Sequence, residues 1–557
     1  MKSKRVSKRN IGTTSRTKTS ITTLLTMVII GISVAVYFNA LFNGFVYDDG
    51  TQVLANNWIK DVRFIPDIFS SSVAAFDKIL GPVASNYYRP IMHLIYMANY
   101  YIFGLKPWGF HLVNIVMHTG VTILVFIIAQ LLFAKSESAV SLSSTTTSFF
   151  IGLLFATHPI HTEAVTWIAS LPELCFSLFL LLSLYFYIRS WEGLRNSYIF
   201  SVISFLLATL CKETALTLPI ILIVYDYTFN NGKERIPVFV KRYIPYLMVV
   251  GVYLIMRFNA LGGFAPQKSH PELSMYQYLI NIFPLFTQYL EKLILPTNLN
   301  AFYVLHPINS VFEATGVVSL CVTVAFIALI IIAQRKDKIA FFGLFFIVIP
   351  LLPVLYIPGV GENTFAERYL YLPSFGFMVL LALFLARVGV FMPKGAVTIT
   401  LIFLVVIGFY SIRTIKRNAV WKDDYILFSD TVKKSPDGAI PHSMLGYALA
   451  YGWHTDEAIE QYGMALTLKP YNPVTHNNLG SAYAEKGFID KAIEEYKVAI
   501  TMRPDYADAH YNLGQAYLLR GLVDEAIEHF AAAVNLNPLD AEYNSKLAYS
   551  RRMRSSN

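Results

Sequence analysis

Long apolar runs follow one another between residues 21 and 410, separated by short segments that contain charged residues, Gly or Pro. A helix needs about 20 apolar residues to cross a bilayer. Residues 274–296 are also apolar, but the neighbouring spans place both of their ends on the outer side of the membrane, so we expect a re-entrant or interfacial segment there. The pattern predicts about eleven membrane-spanning helices, at 21–42, 108–134, 146–160, 172–190, 197–211, 213–229, 243–259, 312–334, 339–357, 369–388 and 394–412.

A different pattern begins near Trp421, where charged residues become frequent. Leu445, Leu479 and Leu513 lie 34 residues apart, and Gly, Ala and Pro positions recur at the same spacing. This is the length of a tetratricopeptide repeat, a pair of antiparallel helices. Small residues let the two helices approach closely, and Pro ends the second helix. We predict a linker at 416–436, three repeats at 437–538 and a capping helix with a short tail at 539–557.

Two asparagines recur on the first helices of the repeats. Asn478 and Asn512 are equivalent positions, and the first repeat has Met444 there. Repeat arrays of this kind bind extended peptides on their concave face, and an Asn amide can both donate to and accept from a peptide backbone. Both residues are therefore candidates for binding a protein acceptor. The alternative is that Asn is simply common at this repeat position.

Composition agrees with a membrane protein and gives its orientation. The chain is 55% hydrophobic and 15% charged, whereas soluble proteins have about 25% charged residues. Basic residues crowd the segment 1–20 before the first apolar run, and further basic clusters fall in loops on the same side. Positive residues flank the cytoplasmic side of spans. We therefore predict a cytoplasmic N-terminus and, with an odd number of spans, extracytoplasmic repeats; the net charge of +9 does not indicate nucleic acid.

Ionisable residues beside membrane spans are costly and mark functional sites by default. Asp48 and Asp49 directly follow the first span. Paired carboxylates raise the pKa of one member, which can then take a proton from a hydroxyl; the alternative is a solvated turn. The other candidates also fall on the predicted outer side: Arg89, Lys212 and Arg368 for binding phosphate, and His158, His161, Glu163, Glu213 and Glu367 as a supporting polar cluster.

One string has the residue types of a metal site. His158, His161 and Glu163 lie within six residues of each other, and imidazole and carboxylate both suit a divalent metal. A lipid phosphate or an internal hydrogen-bond cluster fits the same residues. We expect no required cofactor and no metal, with a divalent metal at this string as the alternative.

Six strings, in chain order, resemble motifs of the transmembrane and tetratricopeptide-repeat O-mannosyltransferases of the GT-C superfamily. They are YDD at 47–49, YRP at 88–90, PWGFHLVN at 107–114, HPIHTEAV at 158–165, CKE at 211–213 and ERYLYLPS at 367–374. The resemblance implies an all-α fold. We expect a polytopic GT-C membrane domain at 21–415, with a first outer loop at 43–90, followed by a tetratricopeptide-repeat α-solenoid.

The resemblance also implies an activity. Such enzymes transfer mannose from a polyprenyl or dolichyl phosphate to Ser or Thr hydroxyls of exported proteins, with inversion at the anomeric carbon. Asp48 and Asp49 match the acidic pair that supplies the base, and either one is a candidate for that role. Arg89, Lys212 and Arg368 are then candidates for stabilising the phosphate leaving group. No Asn-x-Ser/Thr site occurs in the chain, so we expect the plasma membrane of a bacterium or an archaeon.

Three other functions are compatible with parts of this pattern. A glycosyltransferase acting on a lipid or an envelope glycan would share the donor and the membrane but not the acceptor. A non-enzymatic membrane-anchored repeat scaffold explains the tail but leaves the outer ionisable residues without a role. A transporter is expected to have charges near the bilayer midplane and internal symmetry, and the sequence shows no such symmetry.

Overall fold

The computed structural model describes residues 21–76, 86–135, 140–230, 240–264, 270, 273–357 and 363–556. Within these ranges the secondary structure is helical and includes no strand, which confirms the all-α prediction. The predicted cytoplasmic segment 1–20 lies outside the described residues.

The N-terminal part of the chain is an apolar helical domain. Short 3-10 and helical turns connect its helices. The longer helices are α1 Ile21–Phe42, α2 Pro90–Phe103, α3 Pro107–Phe133, α4 Ser144–Thr157, α5 Leu171–Ser190, α6 Arg195–Cys211, α7 Leu218–Phe229, α8 Ile244–Leu261, α9 Met275–Ile294, α10 Ala314–Lys336, α11 Lys338–Leu351, α12 Pro373–Val388 and α13 Gly395–Asn418.

Several of these helices are fit to cross a membrane. Among the described residues, seven helical segments are long and apolar enough, and they contain α1, α3, α5, α8, α10, α12 and α13. Three further apolar helices, α4, α6 and α11, are shorter. The helices at the predicted spans 146–160 and 339–357 end early, at Thr157 and Leu351. Helix α4 ends there because the residue before a proline, here His158, disfavours helical backbone. A multi-pass membrane protein is confirmed, and the number of spans remains a prediction.

Helix α9 covers most of the segment predicted to be re-entrant or interfacial. Ser274 and Gln277 form a capping box at its start. One face is buried, with Tyr289 fully buried, while Tyr276 and Ile294 on the opposite side are exposed. An amphipathic helix of this kind is typical of a membrane interface. Its interfacial position stays a prediction.

The C-terminal part is a solenoid of helix pairs, as the 34-residue period predicts. A Cβ atom on Gly446 would lie only 2.8 Å from the ring of Tyr462, and the equivalent distances are 2.7 Å at Gly480 and 2.9 Å at Gly514. Glycine therefore recurs because the two helices of each pair are in contact there. The helices are α14 Asp424–Lys434, then α15 Ala439–Tyr451, α16 Thr455–Leu468, α17 Pro473–Glu485, α18 Ile489–Met502, α19 Ala507–Leu519, α20 Val523–Leu536 and α21 Ala541–Ser556.

Direct contacts join the two parts at the predicted linker. Residues 416–436 contain the end of α13 and the whole of α14, and they pack against the segment that follows α1. The Asn43 side chain donates to the Asn418 carbonyl at 2.9 Å, and the Tyr47 amide donates to the Asp424 carboxylate at 2.7 Å. The solenoid therefore begins beside the predicted catalytic segment.

Candidate functional site

The acidic pair lies in a short segment held in an unusual backbone conformation. Tyr47 has a φ of 54°, a left-handed conformation that costs a non-glycine residue about 1–3 kcal/mol. Its ring stacks on Trp167 with centroids 5.5 Å apart, and its amide is bound by Asp424. These contacts hold the turn and fix the direction in which Asp48 and Asp49 leave the backbone.

Asp49 is directed into the protein. Its carboxylate is fully buried and accepts hydrogen bonds from the amides of Val46 at 3.0 Å and Ala169 at 2.8 Å. Burial raises the pKa of Asp49, and the two amide donors oppose this rise. Asp49 therefore fastens the segment after α1 to the turn that precedes α5.

Asp48 is directed into a cavity. This cavity, which we call the Asp48 cavity, measures about 250 Å³ and lies between the segment after α1, the turn before α5 and the turn before α12. Burial raises the pKa of Asp48 to about 6, while the positive charge of Arg368 acts in the opposite direction. The two acidic residues thus differ in environment although they are adjacent in sequence.

Three cations share the Asp48 cavity. Arg89 precedes α2, Lys212 ends α6, and Arg368 lies in the turn before α12, and all three line the cavity together with Asp48. They come from distant parts of the chain. The structure therefore brings together the candidate base and all three candidate phosphate-binding residues.

Each of these cations also contacts a carboxylate. Arg89 Nη2 lies 2.8 Å from Glu213 Oε1, and Arg89 Nε also donates to Glu213. Arg368 pairs with Glu163, whose second oxygen accepts the Arg368 amide at 2.9 Å. These pairs hold the cations in place, and Glu213 and Glu163 stand behind them, outside the cavity lining.

Glu173 is a residue of the site that sequence reasoning missed. It lies in the first turn of α5, lines the Asp48 cavity and pairs with Lys212, and both side chains are only 4% exposed. The available signal was an acidic residue inside an apolar run, which is costly unless the residue is paired. The partner could not be identified from sequence because Lys212 lies on another helix.

Aromatic rings form much of the cavity wall. Tyr87, Trp167 and Tyr369 line it, and each carries a cation over its face. The Arg89 guanidinium lies 4.2 Å from the centroid of the Tyr87 ring, and Lys212 Nζ lies 4.6 Å from that of Tyr369. These contacts further restrict the cations.

The histidines of the HPIHTE string lie away from the Asp48 cavity. His161 hydrogen-bonds with Ser374 at 2.7 Å and with the Phe155 carbonyl at 2.9 Å. His158 is buried and accepts from the Ile160 amide. Within the described ranges no group of three His, Cys, Asp or Glu side chains is arranged to hold a metal. Of this string, Glu163 forms an ion pair with the cavity-lining residue Arg368.

Glu367 is buried beside the cavity rather than in its wall. Its carboxylate accepts from the Tyr303 hydroxyl at 2.7 Å and from the Asn300 amide. Burial raises the pKa of Glu367 to about 7, and Arg417 opposes the rise. Glu367 and Arg368 are neighbours in sequence, but only Arg368 lines the Asp48 cavity.

The repeats contribute to the site at one point. Ile440, in the first turn of α15, lines the Asp48 cavity together with Phe302 and Asn363. Asn478 and Asn512 lie further along the solenoid, and the Asn512 amide donates to Asn477 at 3.0 Å. The first repeat thus reaches the cavity, and the two candidate acceptor-binding residues do not.

Comparison with known proteins agrees with both halves of this description. Two family models match the tail: one described as TPR repeat at residues 455–487 and 480–521, and one described as Tetratricopeptide repeat at 507–539. The repeat prediction is confirmed.

Curated relatives extend over the membrane domain as well. Protein O-mannosyl-transferase TMTC3 of Homo sapiens is 28% identical and aligns with 80% of this chain and 51% of its own length. Protein O-mannosyl-transferase F38B6.6 of Caenorhabditis elegans is 27% identical, over 80% of this chain and 62% of its own. Protein O-mannosyl-transferase TMTC4 of Homo sapiens is 26% identical and aligns with 78% of this chain and 65% of its own length. The chain spans about half to two thirds of the length of these relatives. Its homologues are thus named protein O-mannosyl-transferases, and this chain itself combines apolar helices with tetratricopeptide repeats.

Proposed function

We propose that this chain is a membrane mannosyltransferase that moves mannose from a polyprenyl or dolichyl phosphate to hydroxyls of exported proteins. The names of its homologues support a mannosyltransferase acting on protein. One geometric observation carries the proposal: Asp48 lines the same cavity as Arg89, Lys212 and Arg368. Glycosyl transfer from a phosphate donor needs a base and cations in one place, and this cavity has both.

In the proposed reaction Asp48 is the general base. The acceptor hydroxyl oxygen attacks the anomeric carbon of mannose, the bond from that carbon to the phosphate oxygen breaks, and Asp48 takes the hydroxyl proton. Attack opposite the leaving phosphate inverts the anomeric carbon. A pKa of about 6 suits this role, because a base whose pKa lies near the working pH is ionised and still basic enough to accept a proton.

The cations stabilise the leaving phosphate. Arg89 and Arg368 are 17% and 19% exposed, whereas Lys212 is 4% exposed and paired with Glu173. We therefore assign phosphate contact to the two arginines, whose planar guanidinium groups match phosphate oxygens. Lys212 adds positive charge at the cavity wall and positions Glu173 through their ion pair. The aromatic walls suit the apolar face of a sugar, and no cofactor is required.

The repeats recruit the protein acceptor. Ile440 at the cavity wall places the start of the solenoid next to the reacting groups. An extended acceptor bound along the concave face, with Asn478 and Asn512 hydrogen-bonded to its backbone, would lead towards the cavity. We propose a multi-pass protein of a bacterial or archaeal plasma membrane, with the N-terminus in the cytoplasm and the repeats outside.

Substitution of Asp48 tests the proposal. Purified Asp48→Asn protein in micelles, given dolichyl phosphate mannose and a Ser/Thr peptide, should lose transfer by at least about 100-fold, the usual contribution of a general base. Asp67→Asn, an exposed carboxylate of the same outer loop, is the matched control and should keep wild-type activity.

Transfer by the Asp48→Asn protein at close to the wild-type rate would exclude Asp48 as the base. Parallel reactions with a lipid-linked glycan acceptor separate protein glycosylation from envelope-glycan synthesis. A product formed only on the glycan would overturn the protein acceptor while leaving the catalytic cavity in place.

A further inference from the structure

A second cavity lies at the C-terminal end of α13. It measures about 240 Å³ and shares no lining residue with the Asp48 cavity. Four of its lining side chains are basic: Arg413, Lys416 and Arg417 from the last turns of α13, and Lys434 from the end of α14. No acidic residue of the described chain lines it. We call it the basic cavity.

The nearby carboxylates do not neutralise this cluster. Asp430 lies 3.0 Å from Arg417 and 2.6 Å from Lys434. Glu367 Oε1 lies 3.8 Å from Arg417 Nη2, and burial raises the pKa of Glu367 to about 7, which weakens its negative charge at neutral pH. These two carboxylates contact Arg417 and Lys434, which are two of the four cations.

The cations are also crowded and incompletely satisfied. Arg417 is 8% exposed, and its Nε and Nη2 atoms have no hydrogen-bond partner within the described chain. Buried donors without an acceptor are rare in folded proteins. Burial and the neighbouring Arg417 charge lower the pKa of Lys434. An anion bound in the cavity would reduce the repulsion among these positive charges.

The surroundings of the basic cavity place it at the edge of the apolar surface. Ile412 and Ile415, next to Arg413 and Lys416 on α13, are 57% and 42% exposed. Leu295, adjacent to the lining residue Pro296, is 56% exposed. In a membrane these side chains face lipid, so the cations just beyond them lie at the level of the headgroups.

We propose that the basic cavity is a second anion site that binds a phosphate group at the membrane surface. Guanidinium and ammonium groups from two helices converge there, and such groups bind phosphate oxygens through charge-assisted hydrogen bonds. The exposed isoleucines favour the phosphate of an anionic lipid headgroup, and inorganic phosphate offers the same chemistry. This proposal stands independently of the transfer reaction, because the two cavities have separate linings.

The test uses the full-length protein in detergent micelles and two probes, phosphatidylglycerol and inorganic phosphate. Binding is measured by native mass spectrometry for the lipid and by the shift in Tm for both. The variant Arg413→Gln/Lys416→Gln removes two partly exposed cations and leaves the buried Arg417 in place. We expect its affinity for the probe to fall about fivefold for each charge removed.

The matched control is Arg335→Gln/Lys336→Gln, which removes two cations from the last turn of α10. It should bind the probe as the wild-type protein does. A response to phosphatidylglycerol alone identifies a lipid headgroup, and an equal response to inorganic phosphate identifies free phosphate as sufficient. Equal binding by wild-type and Arg413→Gln/Lys416→Gln proteins, equal losses in both double variants, or no binding of either probe would each overturn the proposal.

Discussion

At the scale of single residues, the two adjacent aspartates differ in what their carboxylates contact. Asp49 accepts two backbone amides inside the protein, whereas Asp48 lines a cavity that also holds three cations. The sequence identifies the pair but not this division. The division depends on the amide of Ala169, which only the folded chain brings to Asp49.

The pH dependence of transfer should report Asp48. Its pKa is about 6, and a base acts only when it is deprotonated. The value of kcat/KM should therefore rise with pH through about 6 and level off above it. Arg368 lowers this pKa, so Arg368→Gln should move the rise to higher pH. A wild-type kcat/KM that changes by less than about a factor of two between pH 5 and 7 would contradict the assignment.

Asp49→Asn should act on stability as well as on activity. An Asn side chain can accept one of the two amide hydrogen bonds, but its NH₂ group then faces the other amide donor. Such a loss costs about 1–3 kcal/mol, and Tm should fall accordingly. An unchanged Tm would show that the two buried hydrogen bonds of Asp49 contribute little to stability.

At the scale of helices, the repeat period has a direct steric cause. The glycines that recur every 34 residues lie against an aromatic ring of the paired helix, with no room for a Cβ atom. The solenoid can therefore be predicted from sequence, because each repeat needs a glycine at the same close helix–helix contact. Membrane helices are less readable from sequence, because the predicted spans at 146–160 and 339–357 end early, at Thr157 and Leu351.

Two glycine substitutions separate packing from helix propensity. Gly480→Ala places a methyl group 2.7 Å from the Tyr496 ring, and overpacking of this kind costs about 1–3 kcal/mol. Gly463→Ala, inside α16 with open space around it, should instead stabilise the helix by up to about 1 kcal/mol. Denaturant unfolding of the full-length chain measures both. The same sign of change in both variants would contradict the packing explanation.

At the scale of the whole molecule, the sequence predicts the order of the parts better than their contacts. Apolar length and the repeat period give a membrane domain followed by a solenoid. The pairing of Glu173 with Lys212 and the packing of α14 against the segment after α1 could not be predicted. Both contacts join residues that are far apart in the chain, and a local sequence pattern does not specify contacts of this kind.

Removal of the repeats should separate donor use from acceptor use. A chain ending at residue 436 keeps α14 and the contact between Asp424 and Tyr47, so donor binding should persist. Transfer to folded or extended protein acceptors should weaken, while transfer to a short soluble peptide at high concentration should remain. Isothermal titration calorimetry measures binding of the donor. Quantification of the glycosylated product measures the use of each acceptor. Equal turnover of all acceptors after truncation would contradict recruitment by the repeats.

The bond between Tyr47 and Asp424 has a geometric consequence for the products. A solenoid fixed at its base cannot move freely around the reacting groups, so its concave face stays at a fixed distance from them. Sugars on an acceptor should therefore appear at a constant number of residues from the stretch that the concave face grips. Lengthening the connection before α15 with flexible residues should blur that spacing.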